Sequence, residues 1–576
     1  MKKNIVKIAI FKNKFWLLLI VLFYATFEIV GTTLVMQLGE VFDIVTISDI
    51  SKHGDLMREY ILDFIILLTA LIVLFMIYSC FQACYLQRVY SYTRENFFEK
   101  TLNKCIASFN KKDKAYYQSI LINDMKQLEN NYYLPMLIII KQIVSVVISL
   151  FFLAHYSVYI LLFVLFASLL PYIIPKLFVN KLKKRIKRYE EVMEKYTLIS
   201  NELLSGYEVF KNYNAESRVL AMHRETSECY AKIKLRANSF IEYMQNSAIF
   251  SGNLVMFGVL ILGLILSIYG NFSVGNIFAI YYISAAVTSP LNELIENLPK
   301  LTAGKVFVRK YDNHNIKEKE KGPVSSIINE ICMKDFSVTL GDQVVPTLKN
   351  INLNFRHGKK YLLVGESGGG KSTILKSILG YYDTYDGEIT YDKIHLSSYL
   401  NMGIFEKIVY LPQQPNFYLG TIRENLSVFD ENISDEDIEY AVKFVELHEK
   451  IMELGNGTFK NGLNAVISES ATNISGGQKQ CLALARGLIK NVNFFILDEA
   501  TSAIDIKTSI KIEKKLLRSP ECTVIFVAHR LHDEVLNLYD EIIVVDAGKI
   551  IEKGNFKELL GIKGKFFDIY NAKGFV

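Results

Sequence analysis

Six stretches of about 20 predominantly apolar residues, all within the first 300 positions, constrain this chain more than any other feature: 15–37, 61–85, 133–155, 158–178, 247–269 and 277–298. A helix needs about 20 such residues to cross the ~30 Å hydrocarbon layer. Inside that layer a helix satisfies its own backbone polar groups, which an open strand or loop cannot. The first half of the chain, 1–311, is therefore expected to be an all-α, six-helix transmembrane domain in a lipid bilayer. The sixth stretch is the most polar, interrupted by Ser289-Pro290 and carrying Glu293 and Glu296, so a cytosolic helix is the competing reading there. The basic N-terminus leads into the first apolar run without a small-residue cleavage site, which reads as a retained first span and not a cleaved signal.

Loop charge sets orientation, because basic residues collect on the cytoplasmic side. The N-terminal tail carries Lys2, Lys3, Lys7, Lys12 and Lys14 with no acid, and the segments after the second and fourth stretches are also basic (Arg88 to Lys114; Lys181 to Arg188). The loop after the first stretch is acidic (Glu40, Asp43, Asp49, Asp55, Glu59), and the connections after the third and fifth are short and uncharged. Six spans with both termini in the cytoplasm place every basic segment on one side. The two inner segments run to about 50 and 70 residues with helical periodicity, long enough to reach a partner domain below the membrane.

Within the spans, Pro171 and Pro175 should kink the inner end of the fourth helix and Pro290 the sixth. Glu28 lies midway along the first apolar run, where an ionisable group is either a cargo or cation contact or a protonated or hydrogen-bonded structural residue. Lys141 and Gln142 lie nearer the inner end of the third, where a lysine can snorkel. The seven scattered cysteines read as reduced, mostly buried thiols, and none has zinc or redox spacing. A net charge of +6 is mild for 576 residues, and no nucleic-acid partner is expected.

The second half changes character. A charged stretch over 312–324 reads as a linker, and from 325 to 576 short strands alternate with helices, as in an α/β domain. Its centre is Gly365-Glu366-Ser367-Gly368-Gly369-Gly370-Lys371-Ser372-Thr373, between the apolar run Tyr361–Val364 and a segment of helical periodicity. Glycines at these positions let successive N–H groups turn toward one anion, and the following helix N-terminus adds positive charge. Lys371 would neutralise the β- and γ-phosphates and the Ser372 hydroxyl would ligate Mg²⁺. This is a P-loop NTPase pattern.

Further along come Leu411-Pro412-Gln413, Ile474-Ser475-Gly476-Gly477-Gln478 ahead of a helix, Phe494–Leu497 ending in Asp498-Glu499, Ser502-Ala503-Ile504-Asp505, and Val527-Ala528-His529. This ordered set, behind six spans, closely resembles the ATP-binding-cassette (ABC) exporter half-transporters of the type IV, B-family-like group, over essentially the whole chain. The resemblance implies ATP and Mg²⁺ as cofactors. It makes Asp498, with Ser372 and Gln413, the metal site and Glu499 the general base. His529 becomes the γ-phosphate contact that orients Glu499. Ser475 to Gln478 would close over ATP held by the phosphate loop of a second subunit, with Asp505 reaching across that interface. Coupling helices are implied near 109–116 and 205–211.

Some residues depart from the family pattern. Leu340 stands where an aromatic ring usually stacks on adenine, which forfeits roughly 0.5–1.5 kcal/mol. Ile474 and Cys481 replace a leucine and a basic residue, and Ser468-Glu469-Ser470-Ala471 keeps an acid but not an Arg-Gly. Because Glu499 and the Ser475–Gln478 signature are both intact, a homodimer is favoured over a heterodimer. The expected function is ATP-driven export of a small molecule, lipid or peptide from the cytoplasm across the plasma membrane by alternating access. No cysteine-peptidase domain precedes the first span, so leader processing is not expected. An importer built on the same fold and a regulatory ATPase without transport are the alternatives.

Overall fold

Five of the six apolar stretches lie in long helices, most of which run well beyond them. The computed structural model describes residues 5–47, 54–171, 173, 177–269, 272–312, 328–340, 345–400, 403–468, 473–528 and 530–571. The chain divides into two units, Met1–Leu102 with Lys114–Ile316, and Asn103–Asp113 with Lys317–Val576.

In the first unit the long helices are Lys14–Ile47, Gly54–Leu102, Leu134–Tyr156, Glu216–Ile268 and Val274–Asp312. Four described helical stretches are long and apolar enough to cross a membrane by length and composition: Lys14–Val45, Met57–Leu102, Lys114–Tyr156 and Glu216–Ile268. The other two expected spans fall short of that measure for separate reasons. The fourth is an apolar helix of only 10 residues, Val158–Ala167. It ends four residues before Pro171, whose ring would clash with the Ala167 carbonyl. Ser168 closes it by donating its hydroxyl to the Val164 carbonyl, and Pro175 lies outside the described residues. The sixth is long, but Glu293, Glu296, Lys300 and Lys305 dilute its apolar run.

Pro290 does not end that sixth helix, which continues through both Pro290 and Pro299. A proline at 290 cannot donate to the Ala286 carbonyl. The Ser149 hydroxyl of the neighbouring Leu134–Tyr156 helix donates to it instead, at 3.3 Å. At the other end, Gly39 and Gly275 allow the first and sixth helices to cross closely, since a Cβ on Gly275 would lie 1.9 Å from the Gly39 carbonyl oxygen. Asp43 then accepts from the Gly275 N–H at 2.7 Å and from the Ser273 hydroxyl, capping the sixth helix from the first.

The 53-residue Glu216–Ile268 helix is about 80 Å long at 1.5 Å per residue, far more than a bilayer needs. Its polar half pairs with the Val179–Ser205 helix through aromatic contacts, with Tyr196 stacked on Tyr230 at 4.9 Å and Arg185 over the Phe240 ring. A short helix, Tyr207–Asn212, joins the two, close to the expected 205–211 segment. The cysteine expectation needs correcting: among the seven, all free, only Cys481 is buried, and Cys80, Cys105 and Cys229 are exposed. A thiol is apolar enough to lie on a helix face turned away from the protein core.

In the second unit, five parallel strands and one antiparallel strand form a sheet of order β12-β11-β3-β10-β9-β6. These are Lys549–Gly554, Glu541–Asp546, Lys360–Val364, Thr523–Val527, Phe494–Asp498 and Ile408–Leu411. Strands β3, β9 and β10 are buried along their whole length, as continuous apolar runs in a sheet covered on both faces must be. A second, antiparallel sheet has the order β2-β1-β4-β5, with β1 at Glu330–Val338, β2 at Leu348–Arg356, β4 at Asp386–Tyr391 and β5 at Ile394–His395. Phe336 of β1 is fully buried, as core. The short helix Ile106–Asn110 belongs to this unit, slightly before the expected 109–116, and the adjoining Lys111 pairs with Asp383 at 2.7 Å.

Candidate functional site

The carboxyl ends of β3, β9 and β6 carry the residues singled out by sequence. The Gly365–Thr373 loop leaves β3 and enters the Lys371–Ile378 helix. Gly365 has φ +150°, and a Cβ there would lie 2.0 Å from the Val545 carbonyl oxygen, so only glycine fits. Gly370, at φ +105°, turns the chain into the helix. Lys371 folds back over the loop and donates to the Gly365 and Glu366 carbonyls, both at 2.8 Å. Burial pushes its ammonium below the usual lysine range, against the pull of Glu499 and Asp498. Glu366 is exposed and paired with Lys565 at 2.7 Å.

The Ser372 hydroxyl donates to Asp498 Oδ1 at 2.8 Å, and the Tyr410 hydroxyl donates to Oδ2 at 3.4 Å. Burial holds the Asp498 carboxyl above the ordinary aspartate range, while Ser372 pulls it back. The next residue, Glu499, is in the left-handed region at φ +53°, so its side chain leaves the strand line. There Gln413 Nε2 donates to Glu499 Oε2 at 2.7 Å. Two hydrogen-bonded carboxylates thus stand on adjacent residues, Asp498 held by Ser372 and Tyr410 and Glu499 by Gln413. A cavity of about 130 Å³ adjoins Glu499 and is also lined by Ser502, Ala528 and Arg530. His529 lies outside the described residues.

Ser475 opens the Gly476–Ile489 helix with a capping box, accepting from the Gln478 N–H while Gln478 Oε1 accepts from the Ser475 N–H. Asp505 caps the Ile506–Arg518 helix through the Thr508 N–H, which holds its carboxyl low. Among the described residues, neither Ser475–Gln478 nor Asp505 makes a hydrogen bond or ion pair to the Gly365–Thr373 loop of the same chain. Gly477 packs against the loop that carries Asp505, since a Cβ on it would lie 2.7 Å from the Ala503 carbonyl oxygen. Leu340, just past β1, is half-buried against the same core as Phe336.

The ABC transporter family profile matches residues 348–502, and the profile of the ABC transporter transmembrane region matches residues 17–291. The chain belongs to the ABC transporters. This ABC half-transporter joins a helical membrane domain to an α/β ATPase domain, binds ATP, and couples its hydrolysis to transport as a multi-pass membrane protein of exporter type that dimerises. It is 27% identical to an ATP-dependent lipid A-core flippase of Wigglesworthia glossinidia brevipalpis, over 83% of this chain and 82% of that protein. It is 30% identical to the transport/processing ATP-binding protein ComA of Streptococcus pneumoniae, over 66% of this chain but 54% of that protein. Its fold matches a bacterial Atm1-family ABC exporter with ATP bound, at TM-score 0.81, 18% identity and 98% coverage of both chains.

Two positioning residues escaped sequence reading. Gln480 is buried, and its Nε2 donates to the Glu499 carbonyl and the Ser502 hydroxyl while its Oε1 accepts from the Ala503 N–H at 2.8 Å. Tyr410 reaches Asp498 from β6. A polar residue in the otherwise apolar row Gln480–Ala485 was the available signal for the first. For the second there was none, because a tyrosine in a strand is ordinary. Cys481 is buried, and its thiol is pushed up to about 12.

Proposed function

We propose that this chain is one half of a homodimeric plasma-membrane exporter, with six spans and both termini in the cytoplasm, that hydrolyses Mg²⁺-ATP at two composite sites. The observation that carries the reading is the adjacent pair of held carboxylates, Asp498 with Ser372 and Glu499 with Gln413, beside the Lys371 loop. The donor set suits Mg²⁺, a hard cation that takes oxygen ligands: one carboxylate, one hydroxyl and the Gln413 amide oxygen. Bound there, the metal would neutralise charge between the β- and γ-phosphates. Lys371 and the loop N–H groups hold the phosphates, and Leu340 backs the adenine with apolar contact alone. Glu499, oriented by Gln413, takes the proton of the attacking water as the bond to the γ-phosphate forms, and ADP leaves. His529, by the family resemblance, would contact the γ-phosphate. The Ser475–Gln478 helix start and Asp505 serve the ATP on the second copy, which fits their lack of hydrogen bonds to their own loop.

ATP-driven closure of the two sites would switch the membrane cavity from inward to outward access. Cargo is a small molecule, lipid or peptide; the flippase relative favours an amphiphile that enters from the bilayer. The deciding experiment is ATP-dependent uptake into inside-out proteoliposomes, with Glu499→Gln as control. Uptake that disappears in the variant supports export; uptake only in right-side-out vesicles supports the importer alternative; ATPase without flux supports a regulatory role.

A further inference from the structure

The last helix of the ATPase unit, Lys565–Asn571, reaches back to the phosphate loop. Glu552 of the Lys549–Gly554 strand accepts from the Lys565 N–H and, at 3.0 Å, from the Phe566 N–H, satisfying two donors that a helix start leaves open. Gly564 allows that approach, since a Cβ there would lie 2.2 Å from Glu552 Oε1. Phe566 is fully buried beside Phe556 and Tyr570, with ring centroids 6.1 and 6.3 Å away, so the helix is anchored in its first turn. From that anchored position the Lys565 ammonium donates to Glu366 Oε1 at 2.7 Å.

Glu366 is the second residue of the Gly365–Thr373 loop, and its own carbonyl accepts from Lys371 Nζ at 2.8 Å. Its side chain therefore starts from the backbone that would gather the phosphates. A carboxylate there works against an anion site, because like charges repel more strongly as the phosphate charge rises. The Lys565 partner holds the Glu366 carboxyl below the ordinary glutamate range, and Glu366 holds the Lys565 ammonium above the ordinary lysine range, so both are ionised at neutral pH. Both side chains are well exposed, 64% for Glu366 and 35% for Lys565, so the pair adds little to the stability of the fold. Its effect on charge is larger: Glu366 alone would face the phosphates with one negative charge, and the pair faces them with none.

We propose that Lys565 is a positioning residue for ATP affinity, acting from the C-terminal helix through Glu366 to remove a repelling charge from the phosphate loop. This rests on the reading of Gly365–Thr373 as the phosphate site and adds a residue nearly 200 positions away to it. The test is a double-variant cycle on equilibrium ATP binding to the full chain in nanodiscs, with EDTA present so that no turnover occurs. Lys565→Gln should raise the Kd for ATP about threefold at low ionic strength, and the loss should shrink as salt screens the charges. Lys565→Arg should bind as the natural chain does. Glu366→Gln should bind ATP at least as tightly as the natural chain, and adding Lys565→Gln to it should change nothing further. A merely structural helix contact would show neither the salt dependence nor the rescue by Glu366→Gln. Unchanged ATP affinity in Lys565→Gln, an equal loss in the Glu366→Gln background, or a loss as large at high salt as at low overturns the assignment. Unchanged ATP affinity in Lys371→Ala would instead overturn the phosphate-loop reading, so the two failures are told apart.

Discussion

The Gln413–Glu499 hydrogen bond makes the sharpest residue-scale prediction. Glu499→Gln keeps the shape and removes the base, so steady-state ATPase should fall by a factor on the order of 100 or more. ATP should still bind and trap a closed dimer, read by nucleotide retention on size exclusion; near wild-type turnover would remove Glu499 from the role of base. Asp498 adds a pH dependence. Burial holds its carboxyl above the ordinary range, so as pH falls it takes up a proton earlier than a free aspartate would. Protons and Mg²⁺ should then compete for the same oxygens. The Mg²⁺ concentration for half-maximal ATPase should rise as pH is lowered toward the aspartate range, and Asp498→Asn should flatten that dependence. Gln480→Leu should leave the Glu499 carbonyl and Ser502 without their donor, costing about 1–3 kcal/mol in thermal unfolding. It should also lower kcat more than it changes the KM for ATP.

At the scale of elements, the sixth helix depends on its neighbour. Ser149→Ala removes the hydroxyl that satisfies the Ala286 carbonyl freed by Pro290, with an expected loss of about 1–2 kcal/mol. Pro290→Ala restores the missing N–H, so the double variant should recover most of it, measured as thermal stability in detergent; a purely additive double variant would contradict the account. The sequence leads to a kink at Pro290, and the helix runs on through it with the freed carbonyl met by Ser149. In the fourth helix the same residue type did end the helix, one turn before Pro171, and no hydroxyl from a neighbour is recorded at Ala167 among the described residues. The two prolines look alike in sequence. Among the described residues, the Ser149 hydroxyl distinguishes the Pro290 site.

For the whole molecule, the described signature residues make no hydrogen bond or ion pair to the phosphate loop of their own chain, as expected if each chain supplies half of two proposed sites. Co-expressing a Lys371→Ala chain with a Ser475→Arg chain should restore ATPase that neither variant has alone. The mixed dimer unites an intact loop from one chain with an intact signature from the other; no recovery would exclude composite sites between like chains. A membrane half and an ATPase half can be read without a fold, because the length of apolar runs and the ordered motifs are local properties of the chain. The sequence also supplied the identities of the phosphate-loop residues, since their roles follow from glycine conformation and charge at fixed spacing. Folding alone settles which distant residues meet: Ser372 with Asp498 across 126 positions, Gln413 with Glu499, Gln480 with the Glu499 carbonyl, and Gln142 with Glu293. The physical reason is that a hydrogen bond needs its two atoms about 3 Å apart. No periodicity or spacing specifies that distance between segments far apart in the chain.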